Sequence, residues 1–198
     1  MRGISDLLAA LYGSPDFIYT LMDRPNEQKR VVEKLTVLWV AFARSQLEMI
    51  LDFHGGTGSF YYGVWLPGKG VWLQEDASAL MSPELFGGFI APAIHQMACS
   101  FDTSVIHLHP SSYIPVEYLI ETPLSAVELH IDFGGPRAEE LLPYYRKILD
   151  RKPLIIWGDL TLEDLDFIAA KLDPQALALL PVVDSREQAE GIWGKFKT

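Results

Sequence analysis

Val105-Ile106-His107-Leu108-His109-Pro110 is the stretch whose reading decides the fold. As an extended strand it places Val105, His107 and His109 on one side and Ile106 and Leu108 on the other. Further segments have the same form. Ser125 to Asp132 alternates Glu128, His130 and Asp132 with Val127, Leu129 and Ile131, Val71 to Gln74 runs on into Glu75-Asp76, and Leu154 to Trp157 runs on into Gly158-Asp159. Leu177 to Val183 is a fifth, apolar strand. Each strand is followed by a helical pattern, which implies a parallel sheet with right-handed crossovers. In such sheets the C-terminal strand ends share one rim, where ligands bind. That rim would gather Asp76, His107, His109, His130, Asp132 and Asp159.

The helices are marked by their ends. Ser5-Asp6 is expected to cap a short helix from Leu7 to Tyr12 that Gly13 stops, and a second short helix follows through Thr20. Pro25 opens a long one, in which Val31, Val32, Leu35, Leu38, Trp39, Phe42, Leu47 and Ile50 recur near the helical period to about Met49. Gly55-Gly56-Thr57-Gly58 breaks the pattern, and Ser59 to Pro67 reads as an aromatic-rich loop that covers something. Ser82-Pro83 starts a helix to about Met97 with a kink expected at Pro92. Pro115 begins another ending near Glu121, and Gly134-Gly135-Pro136 leads into a helix through Leu149, with Pro143 as a kink or as its start. Thr161-x-x-Asp164 caps a helix to Lys171, and Ser185-x-x-Gln188 is a capping box for the last one. The fold class is α/β with five parallel strands alternating with helices, either as an open doubly wound sheet or as part of a barrel.

Composition narrows the function. At 198 residues, 49% hydrophobic and 21% charged, the chain has the make-up of an ordinary globular domain, with no linker separating residues 1–198 into two. A formal charge of −10 disfavours nucleic acid or an anionic membrane as partner. The single cysteine, Cys99, rules out an internal disulfide framework and, with no signal pattern or apolar run long enough to span a bilayer, the expected location is the cytoplasm. No phosphate-cradling loop or nucleophile elbow is present: the Gly55–Gly58 run lacks the strand, helix and lysine that would give it meaning.

Gln74-Glu75-Asp76-Ala77-Ser78-Ala79-Leu80-Met81-Ser82-Pro83-Glu84-Leu85-Phe86, with Pro92 beyond it, resembles the motif after the fourth barrel strand in the uroporphyrinogen decarboxylase superfamily, which includes corrinoid-dependent thiol methyltransferases. Gly3 to Gly13 and Asp23-Arg24-Pro25 are similar to the segment leaving strand three, and the later strands fall in the family's order. The resemblance implies a TIM-like (β/α)8 barrel, which takes roughly 250 residues, so this chain would supply five of eight strands, the C-terminal part. Two open sheet edges then imply a homo-oligomer or a chain supplying the missing strands.

The resemblance also implies chemistry. In the methyltransferase branch, zinc is held by a histidine and a cysteine two residues apart on strand five and by a cysteine near strand eight; His107 matches the histidine, His109 takes the cysteine's place, and the last cysteine falls near Leu179. A third ligand would come from Asp76, His130, Asp132 or the missing part, and zinc would lower the pKa of a thiol that attacks the methyl group of a corrinoid carried by a partner protein. His107 and His109 are thus the expected metal ligands, Asp76 and Asp132 the catalytic acids, and His130 and Asp159 the contacts to a small-molecule substrate. For the decarboxylase branch, the expected tyrosine and histidine align near Ala10 and Leu179, although Phe60, Tyr61, Tyr62 and Trp65 could wall a tetrapyrrole-like ligand. The other readings of the same residues are a polar barrel lumen without metal in a non-catalytic binding or assembly fragment, and decarboxylation of a small carboxylate.

Overall fold

The computed structural model describes residues 2–59 and 63–196. Three helices come first: α1 (Ile4–Tyr12), α2 (Asp16–Asp23) and α3 (Pro25–Met49). The glycine-rich stretch is an antiparallel hairpin of β1 (Gly56–Ser59) and β2 (Val64–Pro67), a pairing the expected loop did not include. The tip of that hairpin, with Phe60, Tyr61 and Tyr62, lies outside the described residues. Then follow β3 (Gly70–Gln74), a 3-10 turn at Asp76–Leu80, α4 (Pro83–Leu85), a π-helical turn at Phe86–Ile90 and α5 (Ala91–Ala98). The rest alternates: β4 (Thr103–Leu108), α6 (Val116–Glu121), β5 (Ala126–Ile131), α7 (Ala138–Leu149), β6 (Leu154–Gly158), α8 (Leu162–Lys171), β7 (Leu177–Pro181) and α9 (Arg186–Phe196).

Strands β3 to β7 form one parallel sheet in sequence order. This is part of a TIM-like barrel; among the described residues it does not close, and β3 and β7 are its edges. Beyond β3 the sheet is extended by a single parallel bridge, Arg2 with Gln74, where Gly3 N donates to Gln74 O at 2.6 Å.

The two faces of the sheet differ. One carries Leu73, Ile106, Leu108, Val127, Leu129, Ile131, Leu154 and Ile156 into the main core, against Leu8, Ile94, Leu119, Tyr145 and Leu165 of the helices. On the other face, which would be a barrel's lumen, register aligns Trp72 with Val105 and Ala126, then Gln74 with His107, Glu128, Ile155 and Ala178, then His130 with Trp157 and Leu180. Leu66 of the hairpin packs with Trp72, Val105, Ala126 and Ile155 to seal the lower part of that face.

Local details amend the expected helix ends. Ser5 does not cap α1; it lies inside the helix, and the cap comes from another element, as Glu75 accepts from Ile4 N, Ser5 N and Ser5 Oγ. A buried carboxylate is the better partner for a positive helix end, so the distant residue wins over the local one. At Pro92 the missing N–H is accommodated by the π-helical turn just before it. Pro143 lies inside α7, which begins five residues earlier, where Glu140 Oε1 accepts from Arg137 N and Asp164 Oδ1 from Ala138 N. The Thr161/Asp164 cap forms as expected, and at α9 Gln188 N donates to Ser185 Oγ while Gln188 Oε1 accepts from Asp184 N.

Candidate metal centre

The strand alternation delivers three imidazoles and three carboxylates to one spot. His107 and Glu128 are register partners on β4 and β5, and His107 Nδ1 is hydrogen-bonded to Glu128 Oε2. Two residues on, His109 Nδ1 contacts both carboxylate oxygens of Asp132, at 2.8 and 2.9 Å. Each imidazole therefore has its Nδ1 held by a carboxylate and its Nε2 turned inward, and the two Nε2 atoms stand 3.0 Å apart. A carboxylate behind a histidine is the arrangement that orients metal-binding imidazoles and raises their basicity.

Asp76 completes the group. It follows β3 on the 3-10 turn, which Asp6 fastens by accepting from Ala77 N at 2.8 Å, and Gln74 Nε2 donates to Asp76 Oδ2. The other oxygen, Oδ1, is buried without a hydrogen-bond partner, 3.9 Å from His107 Nε2 and 4.0 Å from His109 Nε2. For a triangle with those sides, a point equidistant from the corners lies about 2.1 Å from each, the bond length zinc makes to imidazole nitrogen and carboxylate oxygen. Two imidazoles and a carboxylate also suit other first-row divalent ions, and a three-ligand set leaves positions for a substrate atom. The donor set thus fits a divalent ion, and Asp76 with His107 and His109 is one of three overlapping groups whose ligand atoms lie close enough to share one; the others are His107 with Glu128 and His130, and His109 with His130 and Asp132.

His130 and Trp157 form the neighbouring wall. Their rings meet edge to face at 4.7 Å, and Trp157 lies 5.8 Å from the ring of His107. His130 Nε2 is 3.7 Å from Asp132 Oδ1, while its Nδ1, buried and without a hydrogen-bond partner, faces the equally unpartnered Glu128 Oε1 at 3.8 Å. The fit is tight enough to dictate a glycine on the next strand. Gly158 has φ 127°, and a Cβ there would strike Ile131 O and the His130 ring.

Burial opposes charge at three of these groups. It pushes His107 and His130 down to about 4 and Glu128 up to about 9. His107 is then the neutral imidazole that a metal requires, and Glu128 holds a proton at neutral pH. That proton gives the cluster a second chemical capacity, a wire in which Glu128 donates to His107 Nδ1, His107 Nε2 donates to His109 Nε2, and His109 Nδ1 donates to Asp132.

Of the residues expected at the rim, the structure brings together Asp76, His107, His109, His130 and Asp132. Asp159 stands apart, its carboxylate 3.5 Å from Arg137 Nη1, while Arg137 Nη2 is bonded to Asp159 O and to Asp164. Glu128 escaped the sequence reading as a site residue, although its place on the His107/His130 face of a strand was the available signal. Glu75 alternates to the helix side and serves α1. No protein-family model and no curated protein matches the chain, so the site is read from its own geometry.

Proposed function

We propose that this chain is a metal-dependent, uroporphyrinogen decarboxylase-like domain that transfers a methyl group from a methyl-corrinoid to a thiol-type acceptor. The observation that carries the metal is the convergence of His107 Nε2, His109 Nε2 and the unpartnered Asp76 Oδ1. The methyl-transfer step rests on the resemblance at Gln74–Phe86 and at His107. A bound zinc ion would supply Lewis acidity, lowering the acceptor thiol's pKa so that thiolate forms at neutral pH. Glu128 and Asp132 orient the two imidazoles, His130 and Trp157 keep one wall apolar and dry, and Asp132, 40% exposed, offers the released thiol proton a path to water. The methyl carbon leaves cobalt and bonds to sulfur, and the corrinoid keeps the electron pair of the broken bond. Asp159 would touch substrate from the rim.

The test pairs metal analysis with turnover. Stoichiometric zinc in the wild type, absent from a His107→Ala/His109→Ala double variant, together with thiol-dependent loss of methylcobalamin absorbance only in the wild type, is the expected result. Lack of bound metal after zinc reconstitution would remove this reading. It would favour a second one, a non-catalytic assembly fragment, which is supported by the open edges β3 and β7 and by Leu38 and Phe42 standing 65% and 58% exposed on α3.

A further inference from the structure

A second of the overlapping ligand groups shares His107 with the centre described above and is more deeply buried. His107, Glu128 and His130 offer ligand atoms that all lie within 4.8 Å of one another. In this group Glu128 Oε1 and His130 Nδ1 face each other at 3.8 Å, both buried and neither with a hydrogen-bond partner. Glu128 as a whole is 0% exposed. Two buried atoms with open lone pairs are costly, so something is expected between them. The spacing separates the two simplest occupants. A water about 2.8 Å from each atom would see them at about 85°, too narrow for its two hydrogens to point straight at both. An ion with bonds of about 2.1 Å would see them at about 130°, which leaves room for further ligands in zinc coordination.

Hydrogen bonding at the first site places a charge at the second. An ion on His107 Nε2 takes that nitrogen's lone pair, so the ring carries its proton on Nδ1 and donates it to Glu128 Oε2. Glu128, protonated at neutral pH in the metal-free chain, is then a carboxylate. Among the described residues no lysine or arginine forms an ion pair with it; His107 and His130 are the groups within that distance. With Asp76 and Asp132, three carboxylates then surround one divalent ion.

Building on the proposed function, we infer that the chain binds a second divalent first-row ion, held by Glu128 Oε1 and His130 Nδ1 beside the ion of Asp76, His107 and His109. Glu128 joins the two sites, one oxygen orienting His107 and the other binding metal. The second ion stands where the Glu128 proton is lost, and the two ions together outweigh the three carboxylates by a single charge, which an acceptor thiolate neutralises.

The experiment counts zinc by atomic absorption in wild type and in His130→Phe, each dialysed to equilibrium at saturating zinc. Wild type should hold about two ions per chain and the variant about one. A second measurement needs no variant. In wild type titrated with cobalt(II), the electron paramagnetic resonance signal of the first equivalent should broaden as the second binds, because the rings of His107 and His130 lie 5.5 Å apart. One zinc per wild-type chain, a folded variant that still binds two, or a cobalt signal that never broadens overturns the inference and leaves the first centre standing. Should His130→Phe fail to fold, the wild-type count and the cobalt signal decide. Failure of the wild type to bind any metal overturns the proposed function, and this inference with it.

Discussion

Two glutamates, Glu75 and Glu128, are each 0% exposed and lie on opposite faces of the same sheet. Glu75, on the helix side, is saturated: its two oxygens accept from Ile4 N, Ser5 N and Ser5 Oγ, and Gly3 is obligatory there because a Cβ would collide with the carboxylate and with Gln74 O. Glu128, on the other side, is bonded to His107 by one oxygen and presents the other to His130 without a hydrogen bond. A buried carboxylate is costly, so how its bonds are filled reveals its role. Glu75 offsets the cost inside the fold and fixes α1. Glu128 leaves part of the cost open, as expected of a group whose environment is completed by something the chain does not supply.

The largest expected effect comes from protons on the helix side. Burial pushes Glu75 from 4.5 up to about 7, so its protonated form stabilises the fold fully below pH 4.5, and that contribution, about 3 kcal/mol, is lost as pH rises through about 7. The stability difference between wild type and Glu75→Gln, from urea titrations across that window, should shrink accordingly. A constant difference would show that Glu75 is not the desolvated group described.

Next, at pH 5, Glu75→Gln should cost about 2 kcal/mol, because an amide nitrogen cannot accept from Ser5 N or Ser5 Oγ. Glu128→Gln should cost less than about 1 kcal/mol, since its amide nitrogen can donate to His107 Nδ1 in place of the protonated carboxyl. Equal losses would erase the distinction between the two faces.

Metal affinity should invert that ranking. In zinc titrations at pH 7.5, Glu128→Gln should weaken binding by about 10- to 100-fold, whereas Glu75→Gln leaves it nearly unchanged. Because burial raises Glu128 to about 9, zinc binding to the wild type should release about one proton more than binding to Glu128→Gln, measurable by calorimetry in buffers of different ionisation enthalpy. The smallest effect is expected at the rim, where Phe133→Ser should alter stability by less than about 0.5 kcal/mol, given its 93% exposure.

Much of this was legible in advance, for a physical reason. Strand periodicity is local and exact, so Val105 to His109 and Val127 to Asp132 disclosed which residues share a face, and five parallel strands followed. Capping pairs three residues apart, such as Thr161 and Asp164, were equally plain. What escaped depends on partners distant in sequence. The cap on α1 comes from Glu75, 70 residues from Ser5. The role of Glu128 depends on register with His107, 21 residues away, and periodicity alone cannot say which of several polar residues on a face will meet. The hairpin at Gly56–Pro67 was hidden by glycines, which signal a turn without indicating that the flanks pair.

Gly158 has no functional group, yet it governs the shape of the centre. The carbonyl oxygen of Ile131 and the ring of His130 together fill the space where a side chain on β6 would stand. One added methyl group would press first on that carbonyl, which accepts from Asp159 N, at a φ of 127° that side chains rarely adopt, so the backbone of β5 and β6 would have to give before the imidazole did. Strand pairing and imidazole placement thus hang on one bare position, which no inventory of reactive side chains would include.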